Sequence, residues 1–130
     1  MKLTFDVTPQ AKGRPRLSTR GGFAHAYTPA KTRSAERELQ ILARQQWKQP
    51  ALTGALHVAI NFYLPIKNKK LWGTPHDKRP DIDNFCKTVL DGIQGIVMED
   101  DGQIAHLDAQ KFYAEKGKIE LYVYQIKNRP

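Results

Sequence analysis

The run LHVAINFYL, residues 56–64, alternates without a break, with Leu56, Val58, Ile60, Phe62 and Leu64 on one side of an extended chain. A helix would scatter these side chains around its axis, so the segment is a strand with one face turned to a core. Residues 2–8 (KLTFDVT) repeat the pattern through Leu3, Phe5 and Val7. Residues 103–113 and 118–126 look like two further strands joined by the turn AEKG, because IELYV alternates and Gly117 suits a tight hairpin. Helical spacing occupies two other stretches. About Lys31 to Lys48 carries Ala35, Leu39, Leu42 and Trp47, with Thr28 and Pro29 at its start and Pro50 beyond its end. From Asp83 to Gln94 the apolar positions Ile82, Phe85, Cys86, Val89, Leu90 and Ile93 bury one side, and Gly95 marks the stop. The expected fold is one α+β domain over residues 1–130, with a mixed or mostly antiparallel sheet and two main helices. At 130 residues and 40% hydrophobic content the chain can bury such a core.

Several classes are set aside by what the chain lacks. No apolar run approaches the roughly 18–20 residues of a membrane span, and the start MKLTFDVTPQ alternates where a signal peptide would be continuously apolar. A soluble, intracellular protein with no membrane partner is expected. A single cysteine, Cys86, excludes an internal disulfide and a cysteine-based zinc site, and its place on the apolar helix face makes it a core residue. His25, His57, His76 and His106 share no ligand spacing and are expected to be ordinary strand or loop residues.

Charge is the informative quantity. The formal net charge of +8 predicts an anionic partner. Yet residues 81–108 hold seven acids (Asp81, Asp83, Asp91, Glu99, Asp100, Asp101 and Asp108) against one base, Lys87. The bases concentrate elsewhere: from Thr8 to Ala35 there are Lys12, Arg14, Arg16, Arg20, Lys31 and Arg33 and no acid. A second basic loop, PIKNKKLWGTPHDKRP, adds Lys67, Lys69, Lys70, Lys78 and Arg79 and is expected to be mobile. Within it Trp72 is either a packing anchor or a platform for a base. Lys12, Arg14, Arg16, Arg20, Lys69, Lys70 and Arg79 are the candidate contacts to a nucleic-acid backbone.

The stretch RPDIDNFCKTVLDG, residues 79–92, supplies the chemistry. Residues two apart point the same way only in extended chain, and Pro80 pushes Arg79 away from helical geometry. With the helix N-cap placed at Asp83, Asp81 and Asp83 converge in front of the helix, an arrangement unfavourable without a cation. Lys87 and then Asp91 follow at one-turn intervals. After Gly95, Glu99, Asp100 and Asp101 crowd a turn able to return a carboxylate to the first pair. Carboxylates with open positions and no histidine suit Mg²⁺ or Mn²⁺ and suit zinc poorly. Bases that bind a phosphodiester backbone beside acids that hold a divalent ion describe a nuclease. Taken singly, Asp83 could be a helix cap and Asp83–Lys87 a surface ion pair, but neither explains Asp81 or the acidic island.

Together RPDIDNFCKTVLDGIQGIVMEDDGQI (79–104) and KGRPRLSTRGGFAHAYTPAKTRSAE (12–36) resemble the RusA-type Holliday-junction resolvases over most of the chain. The D-x-D-N-x-x-K core followed by D-D-x-Q carries the resemblance. It implies a RusA-like fold and a metal-dependent homodimeric endodeoxyribonuclease that nicks a four-way DNA junction symmetrically, with no small-molecule cofactor. The metal-binding aspartates of that family fall on Asp81, Asp83 and Asp101, its essential lysine on Lys87, and further acidic positions on Asp91 and Asp100. Pro80 stands where some members carry arginine, and Gly102 where serine or alanine is usual. A non-catalytic nucleic-acid-binding module and a flap or branched-DNA endonuclease are the alternatives.

Overall fold

The computed structural model describes residues 1–13, 16–18, 25–27 and 29–127. Its main sheet has four strands, β1 (Lys2–Phe5), β4 (Leu56–Pro65), β5 (Ile104–Ala114) and β6 (Lys118–Gln125), in the order β1-β6-β4-β5. β1 and β4 both run antiparallel to β6, whereas β4 and β5 are parallel. The expected single α+β unit with a mixed, mostly antiparallel sheet is therefore what the chain forms. A two-stranded antiparallel ribbon, β2 (Arg16–Ser18) with β3 (His25–Tyr27), stands apart where the sequence suggested only a basic loop.

The strands β5 and β6 are not the hairpin that AEKG implied, because β4 lies between them. Parallel pairing to β4 requires a crossover connection, and residues 66–103 with their helix provide it. Gly117 serves close approach instead of a tight turn: a Cβ there would stand 2.5 Å from Thr8 Oγ1 and 2.6 Å from Thr8 Cα.

Helices α1 (Ala30–Gln46) and α2 (Ile82–Ile93) both cover one face of the sheet. Leu39 and Ala43 from α1, Trp47 at its C-cap, and Phe85, Val89 and Ile93 from α2 join Leu56, Val58, Ile60 and Phe62 of β4 and Ile119, Leu121 and Val123 of β6 in one buried cluster. This is the apolar phase of the alternating run. The opposite phase, His57, Ala59, Asn61 and Tyr63, remains half-buried on the face away from α1 and α2. No helix among the described residues is long and apolar enough to cross a membrane.

Two features place α2. It crosses α1 closely at Gly92, where a Cβ would lie 2.9 Å from Leu39 Cβ and 3.2 Å from the Glu36 carbonyl oxygen. At its far end Gly95, with φ +83°, turns the chain so that its amide meets the Met98 carbonyl oxygen at 2.6 Å. The basic loop between β4 and α2 is not loose chain. Asn68 caps a short 3₁₀ turn over Lys69–Leu71, and the Trp72 indole donates to the Ile66 carbonyl at 2.8 Å, so that ring is a packing anchor.

Candidate functional site

Helix α2 starts two residues earlier than the aspartate spacing implied. Its N-cap is Asp81, whose carbonyl accepts from Asn84 at 3.1 Å and from Phe85 at 3.4 Å, so Asp83 lies in the first turn. The reason is the apolar stripe. Ile82, Phe85, Cys86 and Val89 already have i, i+3, i+4, i+7 spacing, and Ile82 packs against the core. Asp81 and Asp83 consequently do not share the parallel direction that extended chain would impose. Both are exposed, and the Asp81 side chain forms no cap bond. Asp83 gains from the exposed amides and positive dipole end of the first turn. Lys87, one turn on, is exposed and enters none of the ion pairs among the described residues. An Asp83–Lys87 surface pair is thus absent, and the amine is unneutralised.

The segment that delivers Asp81 is tied to the sheet by residues without a role in the sequence reading. Lys111 Nζ donates to the carbonyls of Lys78 at 2.8 Å and Pro80 at 3.0 Å, and the Tyr113 hydroxyl donates to Asp77 Oδ1 at 2.9 Å. That bond comes first among the influences holding the Asp77 carboxyl below its ordinary range. A legible signal existed: Lys111 sits between Ala109 and Tyr113 on the core-facing phase of β5, where a lysine needs a reason. His76 packs its ring 4.7 Å from that of Tyr113, and its buried Nδ1 has no hydrogen-bond partner. Burial, aided by the Lys111 charge, pushes its pKa down.

The second acidic stretch is built by Gln103. Its side-chain oxygen accepts from the amides of Glu99 at 3.0 Å and Asp100 at 3.1 Å, while its amide nitrogen donates to the carbonyls of Leu52 and Gly54. Asp100 caps the 3₁₀ turn Asp101–Gln103, and the Asp101 amide reaches the Gln94 side-chain oxygen at 3.4 Å. The Asp101 carboxyl is pushed up by partial burial, by its bond to Asp100 and by the charges of Asp100 and Asp91. The charge of Asp91, near the end of α2, thus reaches the turn that carries Asp101.

Asp91 itself is partly neutralised. Lys12 Nζ lies 3.0 Å from Asp91 Oδ2 and 2.5 Å from Glu36 Oε1, a bridge between the N-terminal loop and both helices. Burial works against the Lys12 charge, but the bonds to Glu36 and Asp91 outweigh it and the pKa rises. Lys69, Lys70 and Arg79 are outside every ion pair among the described residues. Arg14, Arg20 and the side chain of Arg16 lie outside the described residues.

One group of three metal-ligating side chains among the described residues brings its ligand atoms within 4.8 Å of one another, and it is His57, His106 and Asp108. Sequence spacing could not show it, since the two histidines come from different strands.

The chain matches the family model described as Endodeoxyribonuclease RusA over residues 6–124. It is 29% identical over 137 residues to the uncharacterized protein YqaN of Bacillus subtilis (strain 168), covering 97% of this chain and 96% of that one. It is also 35% identical over 72 residues to the crossover junction endodeoxyribonuclease rusA of Lactococcus phage r1t, covering 55% of each. With the family match running from Asp6 through the acidic helix and turn to Tyr124, the chain belongs to the RusA endodeoxyribonuclease family.

Proposed function

We propose that this protein is a metal-dependent, structure-specific endodeoxyribonuclease that resolves four-way DNA junctions by symmetric hydrolytic nicking inside the cell, acting as a homodimer. The observation that carries the reading is the family match across α2, whose start exposes Asp81, Asp83 and Lys87, none of which enters an ion pair among the described residues. Oxygen-only, exposed carboxylates fit a hard divalent ion, Mg²⁺ with Mn²⁺ as substitute. Asp81, Asp83 and Asp101 would hold it, with Asp91 and Asp100 as neighbouring acids. When bound, such an ion lowers the pKa of a water and polarises the scissile phosphate.

The remaining work belongs to side chains of the chain itself. Lys87 presents an ammonium one turn from Asp83, where it stabilises charge that grows on the transferring phosphate. Lys111 and Tyr113 restrain the approach to Asp81 and limit its wandering once DNA is in place. Lys69, Lys70 and Arg79, with the bases of residues 12–20, contact the sugar-phosphate backbone by charge and shape. A two-fold dimer matches a junction that offers two equivalent strands.

Incision of an end-labelled four-way junction tests this. Asp81→Asn and Asp83→Asn are expected to lose at least a hundredfold in Mg²⁺-dependent cutting while still binding the junction. Wild-type cutting by Asp81→Asn would overturn the metal site. Binding with no Mg²⁺-dependent incision by the unaltered protein would favour a non-catalytic module. Faster cutting of flaps or forks than of junctions would make it a flap or branched-DNA endonuclease.

A further inference from the structure

His57 belongs to the face of β4 away from α1 and α2. β5 joins β4 in parallel, but the register skips a residue: Leu56 pairs with Ile104 and His57 with His106, leaving Ala105 extra. This bulge sets the phase of β5. Without it His106 would stand opposite Val58 and aim toward the core; with it the two imidazoles lie side by side on the outer face. Asp108 follows two positions later on the same face, opposite Ala59, whose small side chain leaves room for the carboxylate to lean back.

The outcome is a converged donor set. Asp108 Oδ2 lies 2.8 Å from His57 Nε2 and 3.3 Å from His106 Nε2. The rings stack with centroids 3.9 Å apart and planes within 7°. Tyr124, opposite His57 on β6, places its ring 5.8 Å away and walls one side. Donors around a tetrahedral zinc, at bonds of about 2.0–2.1 Å, stand roughly 3.3 Å apart. The Asp108–His106 separation matches that, and the Asp108–His57 separation is about 0.5 Å shorter. The parallel rings need one imidazole to turn so that both lone pairs meet one ion, and His106 and Asp108, at 57% and 56% side-chain exposure, have the freedom to do so.

We propose that His57, His106 and Asp108 form a binding site for a divalent ion of the zinc class, completed by water, on the sheet face opposite α1 and α2. Two imidazoles and one carboxylate select Zn²⁺, Ni²⁺ or Cu²⁺ over Mg²⁺, so the site is chemically separate from the carboxylates of the acidic helix and turn. Bound there, the ion cross-links β4 to the edge strand β5. That strand follows the acidic turn at one end and carries Lys111 toward the other. The site does not rest on the proposed nuclease activity.

Calorimetric Zn²⁺ titration of the full chain, together with Cu²⁺ electron paramagnetic resonance, tests it. The unaltered protein and an Asp81→Asn/Asp83→Asn variant are expected to share the tightest Zn²⁺ event. His57→Ala and His106→Ala are each expected to weaken it about tenfold or more. The copper spectrum is expected to show coupling to two imidazole nitrogens, and to one in His106→Ala. Should His57→Ala not fold, Asp108→Asn and His106→Gln at exposed positions carry the same comparison. Unchanged Zn²⁺ affinity in the histidine variants, or loss of it only in the Asp81/Asp83 variant, would overturn the proposal.

Discussion

Glu120 shows how single side chains set the working range of the molecule. It sits on β6 at 9% exposure, accepts from the Tyr63 hydroxyl at 2.5 Å and meets Lys2 Nζ at 3.0 Å. The Tyr63 bond, then that of Lys2, holds its pKa below the ordinary 4.5 against the opposing effect of burial. Burial and the same bond push Tyr63 up from 10.0 to about 12. The signs define two limbs. The Glu120 contribution is complete above 4.5 and is lost as pH falls through its lowered folded value. The Tyr63 contribution is complete below 10.0 and is lost as pH rises toward about 12. Glu120→Gln is therefore expected to cost about 1 kcal/mol near neutrality. Urea midpoints of the two proteins should converge as the pH drops below roughly 4. A gap that stays constant down to that pH would show that the carboxylate charge contributes nothing.

At the scale of elements, the crossing of α1 and α2 aligns the acidic helix with the sheet, and Gly92 permits it. Gly92→Ala must push Leu39 or the Glu36 carbonyl aside, which is expected to destabilise the fold by about 1–3 kcal/mol. The same shift would part Glu36 and Asp91, which share Lys12, so chemical denaturation of Gly92→Ala and Lys12→Met singly and together should be non-additive. Strict additivity would separate the helix contact from the ion bridge. The helices themselves were legible because each carries an apolar stripe of the right period. The α2 boundary was missed because the two aspartates were weighed above Ile82, whose packing against the core carries the N-cap back two residues to Asp81. The β5–β6 connection was missed for a different reason: AEKG records a local change of direction, while the strand inserted between them comes from residues 56–65.

The whole molecule separates its charges. Bases concentrate in residues 8–35 and in the loop before α2, whereas residues 81–108 hold seven acids against one base, Lys87. Junction binding in Mg²⁺-free buffer is accordingly expected to weaken steeply with salt. Lys69→Ala and Lys70→Ala should each lower the slope of log affinity against log salt by about 1. Fluorescence anisotropy would measure this, and an unchanged slope would remove that loop from the DNA surface. The family was legible from the same segregation, because D-x-D-N-x-x-K and D-D-x-Q are local strings whose chemistry survives any fold that exposes them.

The amino-acid order alone determined the four strands of the main sheet and the two helices, the apolar side of β1, β4, α1 and α2, and the hard, oxygen-rich character of the acidic residues, since hydrophobic period and residue chemistry are local properties. Which carboxylates act on one another was decided by packing: Asp101 bonds to Asp100 and feels the charge of Asp91 because the turn after α2 folds back toward it. The convergence of His57, His106 and Asp108 likewise depended on a strand pairing and one bulged residue. Register between distant strands is set by the summed burial of whole faces, and no short window of sequence contains that sum.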